Sequence, residues 1–309
     1  MSSSLRKAGS VADIFPSLIA PPLIRYNQSF SPMRRVFSTQ LLSRARLTTA
    51  LLDRMARAGV KEVELYCSMP HLNYRQRSQI EELSHWFRDS EMRVTALHAP
   101  VHYDESENPH ALIAITHKEK AERIKATDEV KRALEIADLI PCEFVVQHVG
   151  VEGEDYNQVR ADAAFNALDE LNVLAGQLHT ELLIENIANE MSSAARLNLL
   201  LETTHLPISF CFNTGAAHRA GGVTAELEAM RQRVRLVHVS DNDGESDSRR
   251  APVVEQGGTI DWERAIKALR TLPSGTPWVM DLIEDPERDK PVQIASDSFS
   301  RLEDLLAHD

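Results

Sequence analysis

Six residues stand where short apolar runs give way to polar sequence, and their types suit metal or acid–base chemistry. They are His98, His148, Glu185, Asn213, His238 and Asp281. His98 follows Val94-Thr95-Ala96-Leu97, and His148 follows Phe144-Val145-Val146-Gln147. Glu185 follows Leu182-Leu183-Ile184, and Asn213 follows Ile208-Ser209-Phe210-Cys211-Phe212. His238 lies within Leu236-Val237-His238-Val239, and Asp281 ends Trp278-Val279-Met280. Glu64 sits inside a further run, Val63-Glu64-Leu65-Tyr66. Imidazole nitrogens and carboxylate oxygens brought together suit a divalent ion such as zinc or manganese. The same groups suit proton transfer. Singly, each has a plainer reading. A lone strand histidine is usually a hydrogen-bonded core residue, and Asp241-Asn242-Asp243-Gly244 reads as a turn. Convergence gives them weight, because a buried ionisable group must be paired or liganded.

The elements that must position them follow from the pattern. Val36-Phe37 adds an eighth short apolar run. Helical spacing falls between the runs, over residues 48–58, 76–90, 118–139, 156–178, 193–203, 223–231, 261–269 and about 292–306. Gly59 suits a helix C-terminus and Asp261 a helix N-cap. Strands alternating with helices predict βαβ units and a parallel sheet. Eight repeats predict a closed (β/α)8 TIM barrel, whose functional residues sit at the C-terminal ends of the strands. An open doubly wound sheet is the rival, but no glycine-rich phosphate loop follows Phe37. Residues 1–33 are Ser- and Pro-rich and read as an N-terminal extension, with the barrel over 34–309. Trp86, Trp262 and Trp278 read as packing residues.

Composition narrows the function. Lys and Arg number 34 against 46 Asp and Glu, a net charge of −12. That argues against a broad nucleic-acid surface, so no nucleic-acid partner is expected. No apolar run approaches the ~20 residues of a membrane span. Cys67, Cys142 and Cys211 give neither a disulfide framework nor a zinc-ribbon spacing, and read as small buried hydrophobes. A cytoplasmic location fits, and an oligomer is left open.

Four segments carry a resemblance. They are Leu97-His98-Ala99-Pro100, Ile184-Glu185-Asn186, Phe212-Asn213-Thr214-Gly215, and Asp241-Asn242-Asp243-Gly244 followed by Gly257-Gly258-Thr259-Ile260-Asp261-Trp262. With them the chain resembles the xylose isomerase-like TIM barrels over roughly residues 34–307. That superfamily includes sugar and sugar-phosphate isomerases and epimerases and the apurinic endonucleases. The resemblance implies a single divalent ion (manganese, zinc, magnesium or cobalt) held by Glu185, Asn213, His238 and Asp281. Two places depart from the family pattern: Asn213 replaces an Asp, and Asp281 is one methylene shorter than the usual Glu. It further implies that Glu185 and Asp281 pass a proton next to the carbonyl of a small carbohydrate-like substrate. His98, His148, Glu64, Asp247 and Arg249 would then contact that substrate. The multi-zinc endonuclease pattern fits less well, because Ala216 and Arg249 stand where it has histidines. Two other functions stay open on the sequence: a metal-free barrel with a binding or regulatory role, and a metal-assisted hydrolase.

Overall fold

The computed structural model describes residues 33–103 and 111–307. The proposed N-terminal extension lies almost wholly outside the described residues. Eight parallel strands close into a barrel in sequence order. They are β1 (Arg34–Ser38), β2 (Glu62–Tyr66), β3 (Arg93–His98), β4 (Phe144–His148), β5 (Glu181–Glu185), β6 (Ser209–Asn213), β7 (Val234–Val239) and β8 (Pro277–Met280). β8 pairs back to β1 through Arg34–Pro277 to Phe37–Met280.

The helices ring the sheet. They are α1 (Thr49–Arg57), α2 (Arg77–Asp89), α3 (Lys120–Leu134), α4 (Ile136–Leu139), α5 (Gln158–Gln177), α6 (Ala194–Thr204), α7 (Thr214–Ala220), α8 (Val223–Met230), α9 (Trp262–Leu269) and α10 (Pro291–Ala307). Local signals set several ends. Thr48 accepts the Leu51 N–H at the start of α1, and Asp261 accepts the Arg264 N–H at the start of α9, as its type predicts. Gly59 follows α1 at φ +90°, a conformation that favours glycine. The helix expected over 118–139 is divided at Glu135 into α3 and α4. The sequence reading placed no helix directly after β6. There Asn213 caps α7 by accepting the Ala216 N–H at 2.9 Å.

Strand alternation explains where the site residues go. Successive strand side chains point to opposite faces. Val36, Ala96, Val146, Leu183, Cys211, Leu236 and Val279 form one small cluster inside the barrel. Their neighbours, among them Phe37, Leu97, Val145, Ile184, Phe210, Phe212 and Val237, join the large core beneath the helices. Two positions beyond each inner apolar residue stands a polar one: His98 after Ala96, His148 after Val146, and Glu185 after Leu183. Asn213 after Cys211, His238 after Leu236 and Asp281 after Val279 continue the layer. The barrel is thus filled by an apolar layer with a polar layer above it, at the C-terminal end. At the opposite end Arg34 closes the floor, with Nε 2.7 Å from Glu62 and Nη1 3.0 Å from Glu143.

Candidate active site

Glu185 is the centre of the polar layer. Its Oε1 accepts from His238 Nδ1 at 2.8 Å and from Asn213 Nδ2 at 2.7 Å. Its Oε2 accepts from His148 Nε2 at 3.0 Å and lies 3.4 Å from His98 Nε2. Burial pushes this carboxyl up, but the charge of His238 and the three imidazole hydrogen bonds hold it well below the usual range. Both ring nitrogens of His238 face carboxylates, since Nε2 lies 2.9 Å from Glu64 Oε2. Only an imidazolium donates from both nitrogens. Burial would lower its pKa, yet the negative groups around it, Glu185, Glu64 and Asp281, raise it well above the ordinary value. The other oxygen of Glu64 is buried without a hydrogen-bond partner among the described residues.

The two remaining histidines differ. Burial lowers the pKa of His148 and outweighs its bond to Glu185, which favours the neutral ring. His98 donates from Nδ1 to the Ala99 carbonyl at 2.8 Å. Burial works against its charge too, but Glu185 and Glu64 together raise it.

Arg249 enters the site from the loop after β7. Its Nη1 lies 3.0 and 3.2 Å from the two oxygens of Asp281 and 3.1 Å from Gln40 Oε1. Its Nε donates to Asp247 at 3.0 Å. A solvated loop charge is the plainer sequence reading of this residue. The structure leaves its side chain only 13% exposed, turned into the site and not into solvent. Asp247 pairs with Arg249 and also lines the cavity above the site.

A cavity of about 260 Å³ opens above this layer. His98, His148, Asn213 and Arg249 line it, with Tyr66, Gln40 and Arg219 on its sides. Glu185, His238, Glu64 and Asp281 are all buried and do not line the cavity. The two carboxylates paired by the resemblance therefore lie under a lid of imidazole, amide and guanidinium. Burial pushes the Tyr66 phenol up to about 12, so it remains a hydrogen-bond donor at neutral pH.

Among the described residues, two groups of three could hold a metal ion by type and spacing: His98, His148 and Glu185, and Glu185, Cys211 and His238. The first has the donors of an open zinc site. In the second, burial pushes the Cys211 thiol up, so without a metal ion it is a protonated thiol. The four residues implied by the resemblance do not fit an ion between them. Asn213 Oδ1 is committed to the Ala216 N–H, so the amide turns its N–H toward Glu185. Asp281 is engaged by a guanidinium on both oxygens.

The loop that delivers Arg249 is organised by Asp241, a residue the sequence assigns only to a turn. One oxygen accepts the backbone N–H groups of Asn242, Thr259 and Ile260 at 2.7, 3.1 and 3.1 Å. The other accepts the indole N–H of Trp262 at 2.7 Å. Asp241 and Arg250 also exchange backbone bonds of 2.9 and 2.8 Å. A Cβ at Gly258 would land on the Asp241 carboxylate, so the Gly257-Gly258 pair is the sequence signal for this close approach. His218 joins the same loop, with Nδ1 2.8 Å from Asn242 Oδ1.

A closed eight-stranded α/β barrel with a polar layer at its C-terminal mouth defines the class of the molecule. A profile described as xylose isomerase-like TIM barrel matches residues 52–305, and the chain belongs to that family. No curated protein matches it by sequence. Among solved structures it is similar to an L-ribulose 3-epimerase, with a TM-score of 0.72 and 15% identity over 89% of this chain and 95% of that one. It is also similar to a D-tagatose 3-epimerase-like protein, with a TM-score of 0.71 and 19% identity over 89% and 97%. A third is the IOLI protein with a bound zinc atom, with a TM-score of 0.68 and 16% identity over 87% and 98%. At these identities the likeness speaks for the fold. Among the described residues no helix is long and apolar enough to cross a membrane.

Proposed function

We propose that this chain is a carbohydrate isomerase or epimerase that moves a proton next to the carbonyl of a neutral, unphosphorylated sugar. The observation that carries this reading is the pair His98 and His148 on the floor of the cavity, backed by the buried Glu185. With its Nε2–H given to Glu185, neutral His148 keeps its lone pair at Nδ1, which is its basic atom. Proton uptake there makes an imidazolium beside a carboxylate already in place, and that favours the transfer. Arg249 lines the same cavity, where its guanidinium can donate a hydrogen bond to a substrate oxygen. Glu185 and Asp281 hold these cavity-facing groups from below.

Both arginines on the cavity are already neutralised, which supports a neutral substrate. Arg249 pairs with Asp247 and Asp281, and Arg219 pairs with Glu152 at 2.5 Å. A phosphate would have to compete with those carboxylates. A zinc-type ion held by His98, His148 and Glu185 would polarise a substrate oxygen.

The test is exchange of the substrate α-proton with deuterated solvent, read by NMR over a panel of ketoses, aldoses and their phosphates. Exchange on unphosphorylated sugars is expected, and His148→Asn is expected to slow it by roughly 10²- to 10⁴-fold, the usual worth of a positioned acid–base group. Binding of a sugar without any exchange would point instead to a binding protein and would sink the reading.

A further inference from the structure

The strand-end position where the family resemblance puts an ion holds a different arrangement, and its chemistry is self-consistent. Asn213 supplies the first part. Its Oδ1 caps α7 at Ala216, and its Nδ2 donates to Glu185 at 2.7 Å. Turning the amide over would set an N–H against the Ala216 N–H and an oxygen against the Glu185 carboxylate. Neither contact is tolerable in a buried site. The side chain therefore presents a donor toward Glu185, whereas a cation needs an acceptor.

Asp281 supplies the second part. It is buried, and Arg249 Nη1 reaches both of its oxygens at 3.0 and 3.2 Å. The guanidinium is held from several sides, by Asp247 on Nε and Gln40 on Nη1. Its backbone adopts φ +37°, a region that a residue with a side chain rarely adopts. Such a conformation persists where the surroundings over-determine it. The adjacent Asp241–Arg250 bridge and the Asp241 contacts to residues 259–262 do so here.

We infer that the guanidinium of Arg249, and not a divalent ion, is the cation that this barrel sets against Asp281 at the end of β8, beside the His238 ring, and that Asn213 and Arg249 together exclude an ion from the position the resemblance assigns to it. One negative ligand is lost at Asn213, and a fixed cation is added at Arg249. Both changes weaken the attraction for a divalent ion, and each is compensated by its own hydrogen bonds. The inference is independent of which sugar is turned over. An ion at His98, His148 and Glu185 is a separate matter.

The experiment is a manganese titration followed by electron paramagnetic resonance, because manganese favours carboxylate-rich sites. Wild type, Asn213→Asp, Arg249→Gln and the double variant are compared, each shown to be folded by circular dichroism. Wild type is expected to hold no ion at Asp281. The double variant is expected to bind about one ion per chain, with affinity raised at least ~100-fold, the upper end of what supporting partners contribute to a metal site. If the double variant does not fold, Arg249→Gln alone is expected to gain at least ~10-fold on the same basis. Manganese lost on His98→Ala but kept on Asp281→Asn lies at the histidine pair and supports the exclusion. Manganese held by wild type and lost on Asp281→Asn overturns the inference. So does a folded double variant that binds no tighter than wild type.

Discussion

Asp241 is buried, and its carboxylate is the common acceptor for four N–H groups spread over residues 242–262. Asp241→Asn keeps one carbonyl oxygen, which can still serve the three backbone donors. The amide nitrogen then faces the Trp262 indole N–H, donor against donor. A hydrogen bond to a charged group is worth about 1.5–3 kcal/mol, and a buried donor left without a partner costs about 1–3 kcal/mol. Relief from burying a charge offsets part of this loss. The expected destabilisation is about 3 kcal/mol by the same hydrogen-bond values. At roughly 2–4 °C per kcal/mol for a chain of this size, Tm should fall by about 6–12 °C. Trp262→Phe removes only the indole bond and should cost less. Urea unfolding followed by circular dichroism at pH 7 measures both, with the m-value checked for constancy. The reasoning fails if Asp241→Asn stays within about 0.5 kcal/mol of wild type, the range of an ordinary surface change. It also fails if the two variants lose equal stability, because the lost charge on the backbone-facing oxygen and the donor–donor contact at Trp262 would then add nothing.

Three further outcomes follow from the same structure. Gly258→Ala places a methyl on the Asp241 carboxylate and is expected to cost about 1–3 kcal/mol, as overpacking does, measured by the same unfolding curves. Phe299→Ala empties a fully buried site where its ring meets Phe37 edge-on at 5.3 Å, so a loss of about 3–5 kcal/mol in urea unfolding is expected. The Glu185–His238 pair gives stability a defined pH dependence. The Glu185 pKa is depressed when folded, so its contribution is present above the ordinary 4.5 and is lost as pH falls through the depressed value. The His238 pKa is raised when folded, so its contribution is complete below the ordinary 6.5 and is lost as pH rises through the raised value. The pair therefore contributes most between pH 4.5 and 6.5. Urea midpoints taken across the pH range should show this plateau in wild type and a flatter profile in His238→Asn. An equally curved profile in the variant would refute the assignment.

Much of the barrel is legible in the sequence. A strand buried on both faces reads as a short apolar run, and eight such runs alternate with helical spacing. The residue types that end those runs also mark His98, His148, Glu185, Asn213, His238 and Asp281, because period-two alternation places each one step above an inner apolar residue. Local chemistry likewise announces the caps at Thr48 and Asp261.

What each polar residue does was decided by contacts between distant segments. Arg249 meets Asp281 across 32 positions of sequence, and His238 meets Glu64 across 174. Nothing within either segment encodes the partner. Asn213 reads as a weaker metal ligand by its type. The Ala216 N–H and the Glu185 carboxylate together fix which end of its amide faces the site. Asp241 reads as part of a turn, and only the folded loop brings Thr259, Ile260 and Trp262 to its oxygens. The sequence by itself determined the fold and the layer in which the chemistry sits, because periodicity and residue type are local properties of the chain. The tertiary structure alone decided which groups carry charge and which reach the cavity, because pairing and burial depend on residues that the chain holds far apart.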